Sequence, residues 1–566
     1  MNYQVATNAG GVIQARLADR KVGPCKVSAA DYYAVITKEE AVTLPPLSAA
    51  LRQHTDGYRL YADGSSIIMQ AASPRGILYA WQEWKRRGHI AAGFFKEEVP
   101  SRSFRAIHID LRYGFWHRER LKEIIDTLIE LRYNTLILET ENRLPLTRHP
   151  DIVAPEHFTP EDLAWLGAYA KERFLELIPL QQTLGHLEYA LKLPQYAHLR
   201  EVREQPEKEP LFYPGNTGAN HYHDFDEICP CRPGAYELVE DLLDETMAFF
   251  PESRYIHIGS DEAWNLLYCD DCKARYGDKS KLLIAHINRI AGRVLEAGRI
   301  PIMWDDMLRH MGEEELAQLD QRIVLMPWLY MSSHPQADTF IPAYERAGFT
   351  VLGAGSAKCS LGTPETLDVP DYEGRFANID WWDSACDRYG LSGYSVTVWS
   401  NYSGTIAPPH PQFDTAWLSI AYGAQKLWNA SVSAAQFKQQ FAARFFGVDV
   451  PLGATSLSAL LPVVKQVEEG ATRHTYEARL WYLGVVSGLY RLKSQFVARE
   501  LYRYHLPITD AERGLLERRL AEITRLRQWL KPRLQEALQQ SYSERETAEF
   551  LAARFEADEA LYRAYI

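Results

Sequence analysis

Two adjacent carboxylates, Asp261 and Glu262, close the segment Tyr255-Ile256-His257-Ile258-Gly259-Ser260-Asp261-Glu262-Ala263-Trp264. The segment opens as a short apolar run, which reads as a strand, and passes a Gly-Ser turn before it delivers the pair. A charge beside a core costs several kcal/mol unless it has a partner or a task. Paired acids at a strand tip can therefore serve general acid–base chemistry. The structural alternative is that Asp261 caps a following helix and Glu262 decorates its first turn. A second cluster flanks the pair. Cys229-Pro230-Cys231 and Cys269-Asp270-Asp271-Cys272 are two close cysteine pairs among seven cysteines. C-x-x-C is a zinc half-site that a C-x-C can complete, so Cys229, Cys231, Cys269 and Cys272 form a candidate structural zinc site. Free thiols are the alternative, and a disulfide is disfavoured in a reducing compartment. With four protein ligands, such a zinc would hold loops and leave no open position for chemistry.

The acids need a scaffold, and from about residue 103 strand-like apolar runs alternate with helical periodicity. The runs are 104–111, 134–138, 174–183, 255–259, 300–304, 323–330, 349–353 and 394–399. Eight β/α alternations predict a (β/α)8 barrel over 101–430, with its chemistry at the C-terminal strand ends. A doubly wound sheet is the alternative, but no Gly-rich phosphate loop follows any strand. The expected strand ends carry Asp110 and Arg112, Glu139 and Glu141, His186 and Glu188, Asp261 and Glu262, Trp304 to Asp306, Trp328 and Tyr330, Ser356 and Lys358, and Trp399 and Tyr402. Polar or aromatic groups at nearly every end favour a site over ordinary turns.

Residues 1–100 read as a separate α+β unit. A hairpin is expected over 58–72 around Asp63-Gly64, and a helix with Ser73 as N-cap and Pro74 in its first turn ends near Gly88. Residues 431–566 read as a helical region that packs on the barrel or mediates self-association. Its expected helices are 435–446, 476–500 and 511–530, with Thr509 and Glu512 as a capping box. The formal net charge of −12 argues against nucleic acid. No run of 18 apolar residues suggests a membrane span. The first eleven residues lack a signal pattern, so the cytosol is the expected location. With 14 Trp, several near strand ends, stacking on a sugar ring is a natural use.

The segment His257 to Glu262 resembles the signature of glycoside hydrolase family 20, the β-N-acetylhexosaminidases, and most closely their hexosaminidase D branch. Residues 177–188 (LIPLQQTLGHLE) and 302–309 (IMWDDMLR) are similar to that branch's third- and fifth-strand segments. The likeness covers roughly residues 100–430. It implies exo-acting removal of terminal β-linked GlcNAc or GalNAc by substrate assistance: the substrate's own 2-acetamido oxygen attacks the anomeric carbon. Glu262 would then be general acid and later base, which calls for a raised pKa. Asp261 would stay ionised and hold the acetamido N–H. Tyr330 would donate to the acetamido oxygen, and Trp304, Trp328 and Trp399 would cage the N-acetyl group and sugar face. Arg105 matches a family arginine that binds sugar hydroxyls, His186 a bracing histidine, and Glu141 lies near a second-strand acid. The family often carries an acid where this chain has Asn401, which opens the gluco/galacto preference and leans it towards galactosaminides. The reading needs no catalytic cofactor. It implies an N-acetylhexosamine-terminated small molecule or oligosaccharide as substrate, no nucleic-acid or membrane partner, and a tail that could form a homodimer. A barrel that binds amino sugars without turnover, or a retaining glycosidase using a second acid such as Glu139 or Glu141, are the competing readings.

Overall fold

Strands covered by helices on their outer face and filled within must be apolar on both sides. The run Thr135–Glu139 satisfies this, with all five residues buried. A computed structural model describes residues 4–9, 26–28, 31–39, 41–88, 90–112, 115–202, 227–359, 370–399, 410–441, five positions between 483 and 490, and 510–556. Its centre is a parallel sheet of strands β1 (Phe104–Asp110), β2 (Thr135–Glu139), β3 (Glu176–Leu180), β4 (Tyr255–His257), β5 (Ile300–Trp304), β6 (Val324–Met326), β7 (Thr350–Val351 continuing as Gly353–Lys358) and β8 (Gly393–Val398). Neighbours in sequence are neighbours in the sheet, and β8 pairs with β1 from Gly393 opposite Phe104 to Val398 opposite Ile109. The ring closes because the two parts of β7 face different partners. Thr350–Val351 pairs with β6 and Gly353–Lys358 with β8, while a bridge joins Trp328 to Ala354. The result is the expected eight-stranded barrel, not a doubly wound sheet.

The strand ranges agree with expectation at β5 and differ at β7. Its main part is Gly353–Lys358, beyond the expected 349–353. That part is rich in Gly, Ala and Ser because a tryptophan packs against it. A Cβ on Gly353 would lie 2.3 Å from the Trp382 ring, and one on Gly355 2.6 Å.

Helices α1 (Arg118–Glu130), α2 (Pro160–Glu172), α3 (Ala235–Phe249), α4 (Lys279–Glu296), α5 (Glu313–Leu316), α6 (Ala337–Arg346), α7 (Tyr372–Tyr389) and α8 (Trp417–Trp428) follow the strands in turn. At α2 and α4 the start is set by side chains. Thr159 and Asp162 form a capping box on α2, and Asp278 accepts two amides at the head of α4. Inside the barrel, Ala106, Ile137, Ile178, Ile302, Met326, Ala354 and Trp304 form one buried cluster, so the interior is packed and not a pore.

The N-terminal unit has a five-stranded antiparallel sheet. The expected hairpin is present as Tyr58–Asp63 and Ser66–Ala71. The expected helix runs Pro74–Arg87, capped by Ser73 and ended at Gly88. After the barrel come helices Ala434–Phe441, Asp510–Leu538 and Glu544–Leu551. The expected 511–530 helix falls inside the second of these. Residue 509 and most of 476–500 lie outside the described residues. The last helix docks on the barrel rim, where Trp116 Nε1 donates to Tyr542 Oη at 3.0 Å and the Phe115 amide to Glu546. No helix among the described residues is long and apolar enough to cross a membrane.

Candidate active site

Strand β4 ends at His257, but the chain keeps its register with β5 for two more residues. The Ile258 amide reaches Ile302 O and the Trp304 amide reaches Gly259 O. Then the backbone turns sharply. Gly259 has φ +61°, Ser260 +70° and Glu262 +52°. Left-handed geometry at two non-glycine residues costs on the order of 1–3 kcal/mol each, so the surroundings must hold it. Gln182, just beyond β3, does much of that. Its Oε1 accepts the Ser260 amide at 3.2 Å, and its Nε2 donates to Asp261 Oδ1 at 3.0 Å and to Glu139 Oε1 at 3.2 Å. The approach is so close that a Cβ on Gly259 would lie 1.9 Å from Gln182 Oε1.

The two acids separate in environment. Asp261 has 6% of its side chain exposed and Glu262 21%, and both meet His186 Nε2, at 3.4 and 3.3 Å. Burial opposes a charge on His186, but Asp261 and Glu262 outweigh it and lift its pKa well above the ordinary value. Burial would likewise raise Asp261, yet His186, Gln182 and Arg112 draw it down to about 2. Asp261 is therefore an ionised carboxylate against an imidazolium. Beneath Glu262, Asp306 accepts the Glu262 amide at 2.9 Å and Trp328 Nε1–H at 3.1 Å. Burial and the Asp261 charge push the Asp306 carboxyl up to about 8, against the pull of Arg309. One acid in this trio is kept charged while its near neighbour is kept neutral, and environment makes the difference.

Arg112, just past β1, organises the opposite wall. Its Nε bonds Asp110 at 3.0 Å and lies 3.7 Å from Glu141 and 4.0 Å from Glu139. Its guanidinium sits 5.5 Å from the Trp399 ring centroid and its Nη1 3.5 Å from His186 Nδ1. Glu141 is buried at φ +43°. Burial, with Glu188 nearby, raises its pKa well above the usual carboxylate value.

The aromatic candidates form one connected surface. Trp328 stacks on Tyr330 with centroids 5.3 Å apart, and Trp399 Nε1 donates to Tyr330 Oη at 2.8 Å. Burial holds Tyr330 in its phenol form. Trp304 lies wholly buried, with ring centroids 4.3 Å from His257 and 5.7 Å from Trp399. It is a floor under the site, whereas Trp328, Tyr330 and Trp399 each keep a sliver of exposed surface.

Glu141, His186, Asp261, Glu262, Trp304, Trp328, Tyr330 and Trp399 thus gather at the C-terminal strand ends. Arg105 does not. It stands near the start of β1, fully buried, with Nη2 on Asp56 of the N-terminal unit at 2.7 Å and Nε on the Arg132 carbonyl at 2.8 Å. Its assignment to sugar binding is corrected: it points to the barrel's opposite end, and the arginine in the site is Arg112. Asn401 lies outside the described residues. The strand-end reading named Arg112 and Asp306 without giving either a task, and it passed over Gln182. A side chain able to both donate and accept, four residues before His186, was the available signal for the last. Of the cysteines, Cys229, Cys269 and Cys272 converge with Glu201, whereas Cys231 is only half-buried beside them.

Residues 103–352 match the family described as glycosyl hydrolase family 20, catalytic domain. The chain is 28% identical over 313 residues to hexosaminidase D of Bos taurus, covering 53% of this chain and 84% of that protein. It is 28% identical over 317 residues to hexosaminidase D of Homo sapiens, covering 53% of this chain and 60% of that one. Among solved structures, a β-N-acetylhexosaminidase superposes with a TM-score of 0.55 at 18% identity, over 70% of this chain and 90% of that chain. That last likeness bears on the fold.

Proposed function

We propose that this chain, whose residues 103–352 match the glycosyl hydrolase family 20 catalytic domain and which is 28% identical to hexosaminidase D proteins, is a β-N-acetylhexosaminidase of that family and removes terminal β-linked N-acetylhexosamine by substrate-assisted, retaining hydrolysis. The observation that carries the reading is the division of labour in the acid pair. Asp261, charged and fixed by His186 and Gln182, suits a permanent acceptor for the acetamido N–H. Glu262, the more exposed of the two, suits proton exchange with the aglycone and with water. Tyr330, kept as a phenol and in contact with Trp328 and Trp399, suits reception of the acetamido group.

In the first step the acetamido oxygen bonds to the anomeric carbon as the glycosidic bond breaks, and the Glu262 proton passes to the departing oxygen. The resulting oxazolinium cation is balanced by Asp261. In the second step Glu262 takes a proton from water, whose oxygen bonds to the anomeric carbon and reopens the ring with retained configuration. Asn401 motivates a preference for GalNAc over GlcNAc. Among the described residues no cysteine is in a disulfide, which suits a reducing, cytosolic setting.

The test compares aryl 2-acetamido-2-deoxy glycosides with their 2-hydroxy analogues. Loss of the built-in nucleophile should slow turnover by at least about a hundredfold, a modest share of what intramolecular attack supplies. Similar rates on both would end the substrate-assisted reading. Within the acetamido pair, a GalNAc-to-GlcNAc ratio of kcat/KM below one would remove the proposed preference alone.

A further inference from the structure

Beside the active site, the connection between β3 and α3 meets the one between β4 and α4 around a group of side chains that hydrolysis does not use. Glu201 and Cys229 belong to the first, and Cys269 and Cys272 lie past the acid pair in the second. One ligand atom from each lies within 4.8 Å of all the others. Cys229 Sγ is 3.5 Å from Cys269 Sγ and 3.4 Å from Cys272 Sγ. A disulfide needs about 2.0 Å. Four-coordinate zinc with Zn–S near 2.3 Å places its sulfurs at the corners of a tetrahedron of edge about 3.8 Å. The same geometry puts a carboxylate oxygen about 3.5 Å from each sulfur, and Glu201 Oε2 lies 3.4 Å from Cys272 Sγ.

The polar bonding around the group also fits thiolates. The Cys272 amide donates to Cys269 Sγ at 3.3 Å, and the Cys269 amide to Glu201 Oε1 at 2.9 Å. Glu201 itself is 1% exposed. Its carboxylate bonds that amide and the Cys272 thiol and also faces the Cys229 thiol. A buried carboxylate facing sulfur calls for a cation.

We propose that Cys229, Cys269, Cys272 and Glu201 bind one structural zinc ion, with Glu201 in the place that sequence spacing gives to Cys231. All four corners belong to the protein, so the ion takes no part in the reaction. Its effect is to tie the loop bearing His186 to the loop leaving Glu262. Short contacts already sketch that tie: the Ile228 amide reaches Leu184 O, the Cys229 amide reaches Leu199 O, and the Asn265 amide reaches Glu227. The inference stands apart from the hydrolytic reading, because its readout is metal and not turnover.

Elemental analysis of the full chain, after reconstitution with Zn2+ and dialysis, should give close to one zinc per chain. Co2+ in its place should show thiolate-to-metal charge transfer of the intensity of three sulfurs. Glu201→Gln and Cys272→Ser should each retain less than a tenth of the zinc, and Cys231→Ser should retain it all. Should a variant fold poorly, thiol modification of the wild-type chain must release the zinc to a chromophoric chelator. No zinc in the reconstituted wild type overturns the site. Zinc lost in Cys231→Ser and kept in Glu201→Gln, or a four-sulfur cobalt spectrum, overturns the assignment of Glu201.

Discussion

The first barrel strand carries a buried arginine near each end, and the two have opposite occupations. At the start of β1, Arg105 meets Asp56 at 2.7 Å, the Arg102 and Arg132 carbonyls and Tyr79 Oη. Asn134 Nδ2 reaches the same Asp56 carboxylate at 3.0 Å. Nearly every donor is spent and nothing is left to offer a ligand. Past the other end, Arg112 faces three carboxyl groups, Asp110, Glu139 and Glu141, and burial with Glu188 raises the pKa of the last well above the usual carboxylate value. Crowded ionisable groups with shifted pKa values are expensive in a protein's interior, and they persist where chemistry needs them. The bottom of the barrel is therefore built from settled ion pairs and the top from perturbed ones. That contrast separates structural ion pairs from functional ones better than residue type does.

The hardest test of the top is Glu262→Gln. With a sugar or alkyl aglycone, kcat/KM should drop by about 10²–10⁴, the usual worth of positioned proton transfer. An activated aryl glycoside, whose departing oxygen needs no proton, should lose far less. Equal losses on both substrates would take Glu262 out of the acid role. The matching test of the bottom is Arg105→Met. It leaves Asp56 with Arg75 at 3.1 Å as its counter-charge and Asn134 as its other donor, so denaturant unfolding should show a loss of about 1.5–3 kcal/mol. The folded fraction should keep its kcat. A tenfold fall in kcat at undiminished stability would mean that Arg105 reaches substrate and would erase the contrast.

The smallest effect concerns Asp306. Its carboxyl is raised in the fold from 3.8 to about 8, so the native state holds a proton that the unfolded chain releases. Its contribution is fully present below about 4 and is lost as pH rises towards 8. Asp306→Asn should flatten the stability profile across that window relative to wild type, measured by denaturant midpoints at each pH. Parallel profiles would show that Asp306 is ionised throughout.

Much of the barrel was legible because burial on both faces leaves a strong apolar signature, as at Ile300–Trp304, where expected and observed bounds coincide. The seventh strand was read short because its second part spells GAGSAK. Small residues there answer to Trp382 on α7, a partner some thirty positions away that no local window contains. The acid pair was legible from adjacency alone. The arginine was misplaced because residue type does not say which end of a strand it serves. Strand direction does, since the site must lie beyond the C-terminal ends, and Arg105 is only the second residue of β1. Gln182 escaped notice because an amide carries no charge to announce a function. The gap in its role was visible only once β3 and β4 lay side by side.

The pairing of Arg105 with Asp56 has one more consequence. Likeness to the family begins at residue 103, whereas the carboxylate that completes β1 sits nearly fifty residues earlier. Cutting the chain where the resemblance starts would leave a guanidinium sealed in the wall without its counter-charge. The α+β unit is thus less a neighbour than a missing piece of the barrel's foundation, and any exchange of catalytic halves between relatives would have to carry both sides of that bond together.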